Sequence, residues 1–433
     1  IANSLGATFA MGTGTDALTI SDAGSVALGA TAVAAGASAF SGVETVVLTG
    51  ISTLTVTPSA ALAVTAGDAT TIAGTGNTIT VAQGAGDALI LSGTSNYVVS
   101  GGTTGAITNT STGTLTVTSS TNAQTVTSSA VTTIDGALLD ADTLTVAGTG
   151  AFTVNAIGTV ATVVVTESAS ATGALTVNTV DTAAAAVTQV SGATGAFVLN
   201  AVGTGGSAVI TLTALVSHAS QTINMTTTSA VTVAAGSTST AYTIVASDAN
   251  AHIYIADTNT SAVDAYTGGS AIDTVDLGQG ADTFTSGGGN DVFTIAESAD
   301  TAVATGFVKN AAVPSTAIGT VGMDVITGMT AGMTIVTAGN TTGAGTALIR
   351  NGQSMGTAAD AANTTSALLI GTYSSSANTF TPSNSGADSM LVIDGNGLIA
   401  NGTYHGIVLV GYVDSLSNDT MSAANPGVFT SVA

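Results

Sequence analysis

The chain has 433 residues, of which 25 are acidic and two are basic, so its formal net charge at pH 7 is −23. Lys309 and Arg350 are the two basic side chains, and because polyanions are held by clustered Lys and Arg, nucleic acid and anionic membrane surfaces are not expected as partners. The acidic composition favours cations as binding partners instead.

The chain contains no Cys, which removes disulfides, thiolate metal sites and Cys nucleophiles from consideration. Two basic residues would be unusual for a cytosolic protein of this length, whereas many bacterial surface proteins avoid Cys and Lys and are held by metals instead. We therefore expect an extracellular protein at a bacterial cell surface. No run of roughly 18 or more apolar residues occurs, so we expect no membrane span.

Residues 1–258 are dominated by Thr, Val, Ala, Gly and Ser, with short runs that alternate in character. The runs TLTVT (53–57), TITVA (78–82), TLTVT (114–118) and TLTVA (143–147) place Leu, Ile or Val on one side and Thr on the other. Because β-branched Thr favours the extended state and tolerates an exposed sheet face, these runs predict strands. Clusters of Gly, Ser and Asn between them predict turns.

One phrase also repeats along this region: GTGAFTVN (148–155), ATGALTVN (171–178) and ATGAFVLN (193–200). The phrase recurs about every 22 residues. A spacing of this size indicates a stacked architecture and fits one coil of a parallel β-helix. The competing all-β fold is an array of β-sandwiches, but such units usually bury a Trp and the chain has none. We predict an all-β protein with a parallel β-solenoid over 1–258.

A second repeat follows, with a period of nine residues. Its lines are NTSAVDAYT (259–267), GGSAIDTVD (268–276), LGQGADTFT (277–285), SGGGNDVFT (286–294) and IAESADTAV (295–303). Each line has an aspartate at its sixth place: Asp264, Asp273, Asp282, Asp291 and Asp300. The eighth place of the first four is large and apolar: Tyr266, Val275, Phe284 and Phe293. Chance does not give this phasing in a chain with 6% charged residues.

The spacing suits calcium chemistry. In a G-G-x-G-x-D-x-U-x repeat, six residues form a turn and three a short strand. Gly permits the turn and leaves carbonyls open, Asp adds a hard anionic oxygen, and Ca²⁺ takes about six to eight oxygen ligands. Two lines would make one coil, so that Asp273 works with Asp291 and Asp264 with Asp282.

The lines GQGAD (278–282) and GGGND (287–291) resemble the RTX repeats of type I secreted bacterial proteins, which form calcium-bound parallel β-rolls. The match departs at Leu277, Ala271 and Ser286, which stand where Gly is expected, and the outer two lines lack the glycines. The resemblance implies two or three calcium sites. The predicted ligands are Asp264, Gly268, Asp273, Gly278, Gly280, Asp282, Gly287, Gly289, Asn290, Asp291 and Asp300. The alternative is a Gly/Asp-rich loop that binds nothing.

Three further segments share this resemblance. FSGVETVVLTG (40–50) is similar to a phrase of RTX-type surface-layer (S-layer) proteins, and GMDVITGMTAGMTI (322–335) resembles the segment that follows RTX blocks. Residues 389–414 resemble the last strands of secreted surface-layer proteins. We predict three domains: the solenoid (1–258), the calcium-binding β-roll (259–303), and a C-terminal β region (304–433) with an uncleaved type I secretion signal.

Other acidic turns are weaker candidates. MGTGTDALTI (11–20) and QGAGDALIL (83–91) could be isolated calcium turns through Asp16 and Asp87, although such turns are more often closed by an Asx bond. The remaining acidic turns predict plain turns and contain Asp140, Asp142, Asp394 and Asn396.

No catalytic pattern is present. His218, His252 and His405 are far apart in the sequence, and neither a zinc-protease motif nor a G-x-S-x-G elbow occurs. Paired carboxylates could serve a glycosidase, but sugar clefts usually need Arg, Lys, Trp and Tyr. We expect a structural protein that is not an enzyme.

The leading hypothesis is a secreted protein that assembles with Ca²⁺ into a bacterial S-layer. Its expected partner is itself, with a cell-surface polysaccharide as a candidate second partner. The rival hypothesis is a subunit of an extracellular filament or biofilm matrix fibre. An adhesin and an RTX enzyme that acts on polysaccharide are more distant alternatives.

Overall fold

A computed structural model gives the fold. It describes residues 8–10, 17–20, 25–29, 38–41, 45–48, 52–57, 62–66, 70–83, 88–101, 106–118, 124–136, 143–157, 163–180, 185–189, 193–203, 210–213, 220–227, 230–234, 242–246, 252–256, 263–277, 280–296, 316–338, 367–383, 385–394, 404–413, 420–421 and 428–430. The chain divides into two compact units, Ile1–Gly203 and Thr204–Ala433. Within the described ranges both units are built from strands, without a helix.

The strands of the first unit are short and alternate between two ladders. They are β1 Thr8–Ala10, β2 Ala17–Ile20, β3 Ser25–Gly29, β4 Ser38–Ser41, β5 Thr45–Leu48, β6 Ser52–Thr57, β7 Leu62–Thr65, β8 Thr70–Gly74, β9 Ile79–Gln83, β10 Leu89–Gly93, β11 Tyr97–Gly101, β12 Ala106–Asn109, β13 Leu115–Thr118, β14 Gln124–Ser128, β15 Thr132–Gly136, β16 Thr143–Ala147, β17 Phe152–Ile157, β18 Val163–Glu167, β19 Leu175–Val180, β20 Ala185–Gln189 and β21 Ala196–Gly203. From β5 onward, odd-numbered strands pair in parallel with odd ones and even with even. Two successive strands therefore form one coil of a solenoid.

The core of the first unit follows from the alternation of Thr with aliphatic residues. In β13, Leu115 and Val117 are fully buried while Thr116 and Thr118 lie on the outer side. Because parallel pairing stacks equivalent positions, the inward residues form continuous columns. One column contains Val64, Val81, Val99, Val117, Ile134, Val154, Val177 and Leu199, each at most 2% exposed.

The predicted repeat marks equivalent positions on successive coils. Phe152 pairs with Leu175, and Leu175 pairs with Phe197. The asparagine that ends each phrase forms an outer amide ladder: Asn178 Nδ2 donates to Asn155 Oδ1 at 2.7 Å, and Asn200 Nδ2 donates to Asn178 Oδ1 at 2.8 Å. Asn155 Nδ2 in turn donates to Asp135 Oδ1, which ends the ladder.

The second unit begins with coils of the same kind. Its strands are β22 Ile210–Thr213, β23 Ser220–Thr227, β24 Ala230–Ala234, β25 Tyr242–Ala246, β26 His252–Ala256, β27 Ala265–Thr267, β28 Thr274–Asp276, β29 Thr283–Thr285, β30 Val292–Ala296, β31 Ile318–Gly319, β32 Asp324–Thr327, β33 Thr334–Ala338, β34 Ala367–Ser374, β35 Thr379–Pro382, β36 Asp388–Asp394, β37 Tyr404–Val410, β38 Thr420–Met421 and β39 Val428–Thr430. One parallel ladder runs β22–β24–β26–β28–β30–β33, and the other runs β23–β25–β27–β29–β32.

Antiparallel strands follow these coils. Strand β37 continues the second ladder in parallel beside β32, and then β36, β34, β35 and β31 add antiparallel neighbours. We call the set β31 and β34–β37 the C-terminal cap. Its core contains Ile318, Met323, Leu369, Phe380, Met390, Val392 and Val408. In the first ladder, β39 pairs antiparallel with β33, and β38 pairs with β39.

The prediction of an all-β parallel solenoid with a C-terminal β region is confirmed. The parallel ladders exclude the β-sandwich alternative, whose sheets are antiparallel. The proposed boundaries at 258 and 303 stay predictions. In the described part of the chain, no helix has the length and apolar character that a bilayer crossing needs.

Candidate metal centre

The first four nine-residue lines fold as half-coils of the solenoid in their described residues. Ala265 pairs with Thr283 across β27 and β29, and Thr274 pairs with Val292 across β28 and β30, an offset of 18 residues in each case. Each of these four lines therefore contributes one short strand, which follows its aspartate. Lines that are two apart stack directly on each other.

The apolar eighth places fill the interior of these coils. Tyr266, Val275, Phe284 and Phe293 are at most 1% exposed. The rings of Phe284 and Phe293 meet edge to face with their centroids 4.8 Å apart, which ties one ladder to the other. This packing fixes the strands, so the turns that carry the aspartates are held at defined positions.

The four sixth-place aspartates that the structure describes lie at the two turn edges of the coils and are buried. Asp264 and Asp282 share one edge, which we call the Asp264 edge, and Asp273 and Asp291 share the other, the Asp273 edge. All four are at most 1% exposed. On each edge a carboxylate accepts the backbone N–H of the aspartate one coil earlier: Asp264 N donates to Asp282 Oδ1 at 2.7 Å, and Asp273 N donates to Asp291 Oδ1 at 3.0 Å.

A fifth aspartate, which the sequence did not predict as a ligand, joins this arrangement. Asp324 begins β32, is fully buried, and accepts the N–H of Asp282 on Oδ1 at 3.0 Å. The signal was present, because the line GTVGMDVIT (319–327) keeps Asp sixth and Ile326 eighth. The period of nine does not lead to Asp324, because the residues after 303 interrupt the phase. On the Asp273 edge, the equivalent place is Met333.

Glycines allow the turns of the Asp273 edge to stack closely. A Cβ added at Gly287 would lie 2.4 Å from the carbonyl oxygen of Gly268 and 2.5 Å from that of Gly269. One added at Gly289, whose φ is +90°, would lie 2.2 Å from the carbonyl oxygen of Ala271. The carbonyls of the earlier turn therefore face the backbone of the later turn, with no room for side chains between them.

Two other positions of this edge face the carboxylates directly. A Cβ added at Gly268 would lie 2.2 Å from Asp273 Oδ2. Ser286, which replaces the first glycine of its line, donates its hydroxyl to Asp291 Oδ2 at 2.9 Å and accepts the N–H of Gly288. The Ser therefore fixes the carboxylate of its own turn.

The buried negative charge of the site is not balanced by basic side chains. Burial raises the pKa of Asp291, while the N–H of Asp273 and the hydroxyl of Ser286 oppose the increase. A buried carboxylate is costly unless a positive charge or a proton neutralises it. The chain has one Lys and one Arg in total. They cannot neutralise the five buried aspartates of the two edges.

The donor set fits Ca²⁺. Carboxylate and backbone carbonyl oxygens are the usual ligands of this ion, and both kinds lie where successive turns stack. Among the described residues, no three His, Asp or Glu side chains converge on one point. That finding suits a site in which each of two coils contributes one carboxylate and carbonyls supply the other oxygens. The aspartates and glycines of the Asp273 edge would hold the ion, which would supply positive charge.

The remaining predicted ligands are placed as follows. Gly280 is half-buried, and Asn290 is exposed, next to Gly332 of the following turn. Asp394 ends β36. The predicted ligands Gly278 and Asp300, the weaker candidates Asp16 and Asp87, and the predicted plain turns at Asp140, Asp142 and Asn396 lie outside the described residues.

Glu167 and His405 are buried polar side chains that the sequence did not predict as ligands. Glu167 is fully buried and pairs with Val146 in the first unit, where its place continues an inward aliphatic column. His405 is buried in β37. No repeat or motif marks either residue in the sequence.

Comparison with protein-family models and with curated proteins finds no match to this chain.

Proposed function

We propose that the protein is a secreted, calcium-dependent structural protein that self-assembles into a bacterial cell-surface layer. One observation carries the proposal. Five buried aspartates lie on two stacked edges of a chain with two basic side chains. Buried charges of one sign need a counter-charge, and the oxygen-rich turns favour Ca²⁺.

In this proposal, calcium lies between successive turns. Asp273 and Asp291 bind one ion together with carbonyl oxygens of their turns, and Asp264 and Asp282 bind another. Because ligand sites of this kind do not exist in an unfolded chain, the binding free energy contributes to folding. The chain would leave the cell unfolded where calcium is scarce and fold outside, where calcium is abundant.

The assembly step rests on the resemblance of 40–50 and 389–414 to surface-layer proteins, and on that of 278–291 to the RTX repeats of secreted bacterial proteins. The solenoid supports it physically, because the outer faces of its stacked parallel coils are lined with Thr and, in the first unit, with Asn. Such faces suit repeated contacts between identical subunits.

Equilibrium dialysis and circular dichroism test the calcium step. We expect the purified full-length chain to bind Ca²⁺ in preference to Mg²⁺, because Mg²⁺ demands a smaller octahedral shell. Chelation should decrease the β signal. A spectrum that does not change with chelation would contradict the calcium mechanism.

Electron microscopy of the protein with calcium, on a lipopolysaccharide surface and free in solution, tests the assembly step. A two-dimensional lattice supports the surface layer, and an unbranched fibre supports the filament alternative. Particles that stay separate under every condition would contradict both. Detectable hydrolysis of a polysaccharide would favour an enzyme instead.

A further inference from the structure

The last turn of the Asp264 edge, residues 320–324, lies between the C-terminal cap and the coils that the nine-residue lines form. We call these the nine-residue coils. Strand β32 follows this turn and pairs on both sides. Val325 is opposite Thr283 of the nine-residue coils on one side and opposite Val408 of the cap on the other. This single strand therefore links the two regions.

Neighbouring residues of the turn serve different regions. Asp324 accepts the N–H of Asp282 at 3.0 Å and so extends the Asp264 edge. Met323 is 2% exposed and packs in the core of the cap, with Phe380 and Val408 among its neighbours in that cluster. A displacement of Asp324 would move Met323 with it.

Thr320 brings a second buried oxygen to the same turn. Its side chain is 4% exposed, and its hydroxyl has no hydrogen-bond partner among the described residues. Its N–H donates to Asn378 O in the β34–β35 hairpin of the cap, and its carbonyl accepts the N–H of Met323. Buried hydroxyls without a partner are rare and point to a bound water or ion.

The Asp273 edge does not reach the cap in this way. After Asp291 its next place is Met333, a fully buried thioether whose sulfur accepts the N–H of Thr330 at 3.2 Å. Calcium prefers hard oxygen ligands, and a thioether is soft. The two edges are therefore unequal: within the part of the chain that the structure describes, the Asp264 edge continues into the cap with an anionic oxygen and the Asp273 edge does not.

We propose that the Thr320–Asp324 turn binds calcium together with Asp282, and that this ion makes folding of the C-terminal cap depend on calcium. The proposal rests on the function proposed above for the nine-residue coils. Without the ion, the carboxylates of Asp282 and Asp324 repel each other across the β29–β32 pairing. Loosening of this pairing would release Met323 from the cap core.

Hydrogen–deuterium exchange on the full-length chain, with Ca²⁺ and with chelator, tests this coupling. In the native sequence, we expect calcium to slow exchange both in β28–β30 and in the cap strands β34 and β37. Asp324→Asn should abolish the calcium response of the cap while β28 and β30 keep theirs. Thr320→Val should weaken calcium binding and reduce the response of the cap in the same direction.

Asp388→Asn is the matched control, because Asp388 lies inside the cap and accepts the N–H groups of Tyr373 and Gly411. This variant should speed exchange in the cap with and without calcium and leave the calcium response present. An equal response of the cap to calcium in the native chain and in Asp324→Asn would overturn the inference.

The failures of the two proposals are distinguishable. If equilibrium dialysis detects no calcium binding to the native chain, the proposed function fails and this inference fails with it. If calcium binds and protects β28–β30 but leaves the cap unchanged, only the inference is wrong. If Asp324→Asn does not fold even in calcium, Thr320→Val decides, and an unchanged calcium affinity in that variant contradicts the inference.

Discussion

The coils around Asn155–Asn200 and the nine-residue coils share a parallel backbone but differ in the side chains that stack from coil to coil. In the first region, each Asn donates to the Asn or Asp of the preceding coil. An amide is neutral and is both donor and acceptor, so its ladder satisfies itself. In the second region, the stacked groups are carboxylates, which only accept when ionised. The ladder of the first region therefore needs no further group, whereas the carboxylates of the second region need a counter-charge, which the proposed calcium would supply.

Calcium removal should separate the two regions most strongly. Chelation leaves the buried aspartates without a counter-charge, a cost of several kcal/mol per ion. We expect fast hydrogen exchange in β27–β30 and unchanged slow exchange in β17–β19. If both regions respond equally to chelator, the contrast between them is wrong.

The effect of Asp282→Asn on the melting temperature should have opposite signs with and without calcium. Asp282 is central on its edge, because it accepts from Asp264 and donates to Asp324. With calcium, loss of a ligand should weaken binding by about 10-fold or more and lower the melting temperature. In chelator, removal of a buried charge should raise the melting temperature. Calorimetry under both conditions measures this. A decrease under both would indicate a purely structural aspartate.

Gly287→Ala should destabilise the second unit at every calcium concentration. The added methyl would lie 2.4 Å from the Gly268 carbonyl oxygen, and overpacking of this kind costs about 1–3 kcal/mol. Gly319→Ala is the control, because a Cβ there meets nothing within 4 Å. Urea unfolding with a probe in the second unit measures both variants. Equal stability of the two variants would mean that the turns can separate.

Acidification should stabilise the calcium-free protein. Burial raises the pKa of Asp291 above its ordinary value of 3.8, so folding favours the protonated form. This stabilisation is fully present below the ordinary pKa and is lost as pH rises through the raised value. Thermal unfolding in chelator between neutral pH and pH 4 measures it, and Asp291→Asn should flatten the profile. A melting temperature that falls steadily on acidification would contradict the prediction.

The smallest expected effect is that of Asn178→Ala in the amide ladder. The variant removes one donor and one acceptor from a half-buried ladder, which should cost about 1 kcal/mol whether or not calcium is present. Thr176→Ala, two residues earlier on the same outer face, is the control. Urea unfolding of the first unit compares them. A loss that appears only in chelator would mean that the two regions are coupled.

Much of the fold could be predicted from sequence because the determinants are periodic. Thr alternating with Val in runs such as 114–118 predicts strands, and the repeat at 148–200 predicts the coil. The period of nine predicts which aspartates share an edge. Periodicity cannot detect Asp324, which returns to the same edge after an interruption of the phase. Nor does it indicate that Glu167 occupies an inward place, since that depends on the register of one strand.

The C-terminal ends of the second unit's ladders affect how the protein should behave at high concentration. Among the described residues, the outermost strands at the C-terminal ends of these ladders are β31 and β38, each two residues long. A short edge offers a neighbouring chain few backbone groups to pair with. Parallel stacks rich in Thr and Val resemble the cross-β packing of amyloid, in which each chain templates the next. These short antiparallel strands should therefore oppose the addition of strands from other chains. We expect that the concentrated protein does not seed fibrils from these edges.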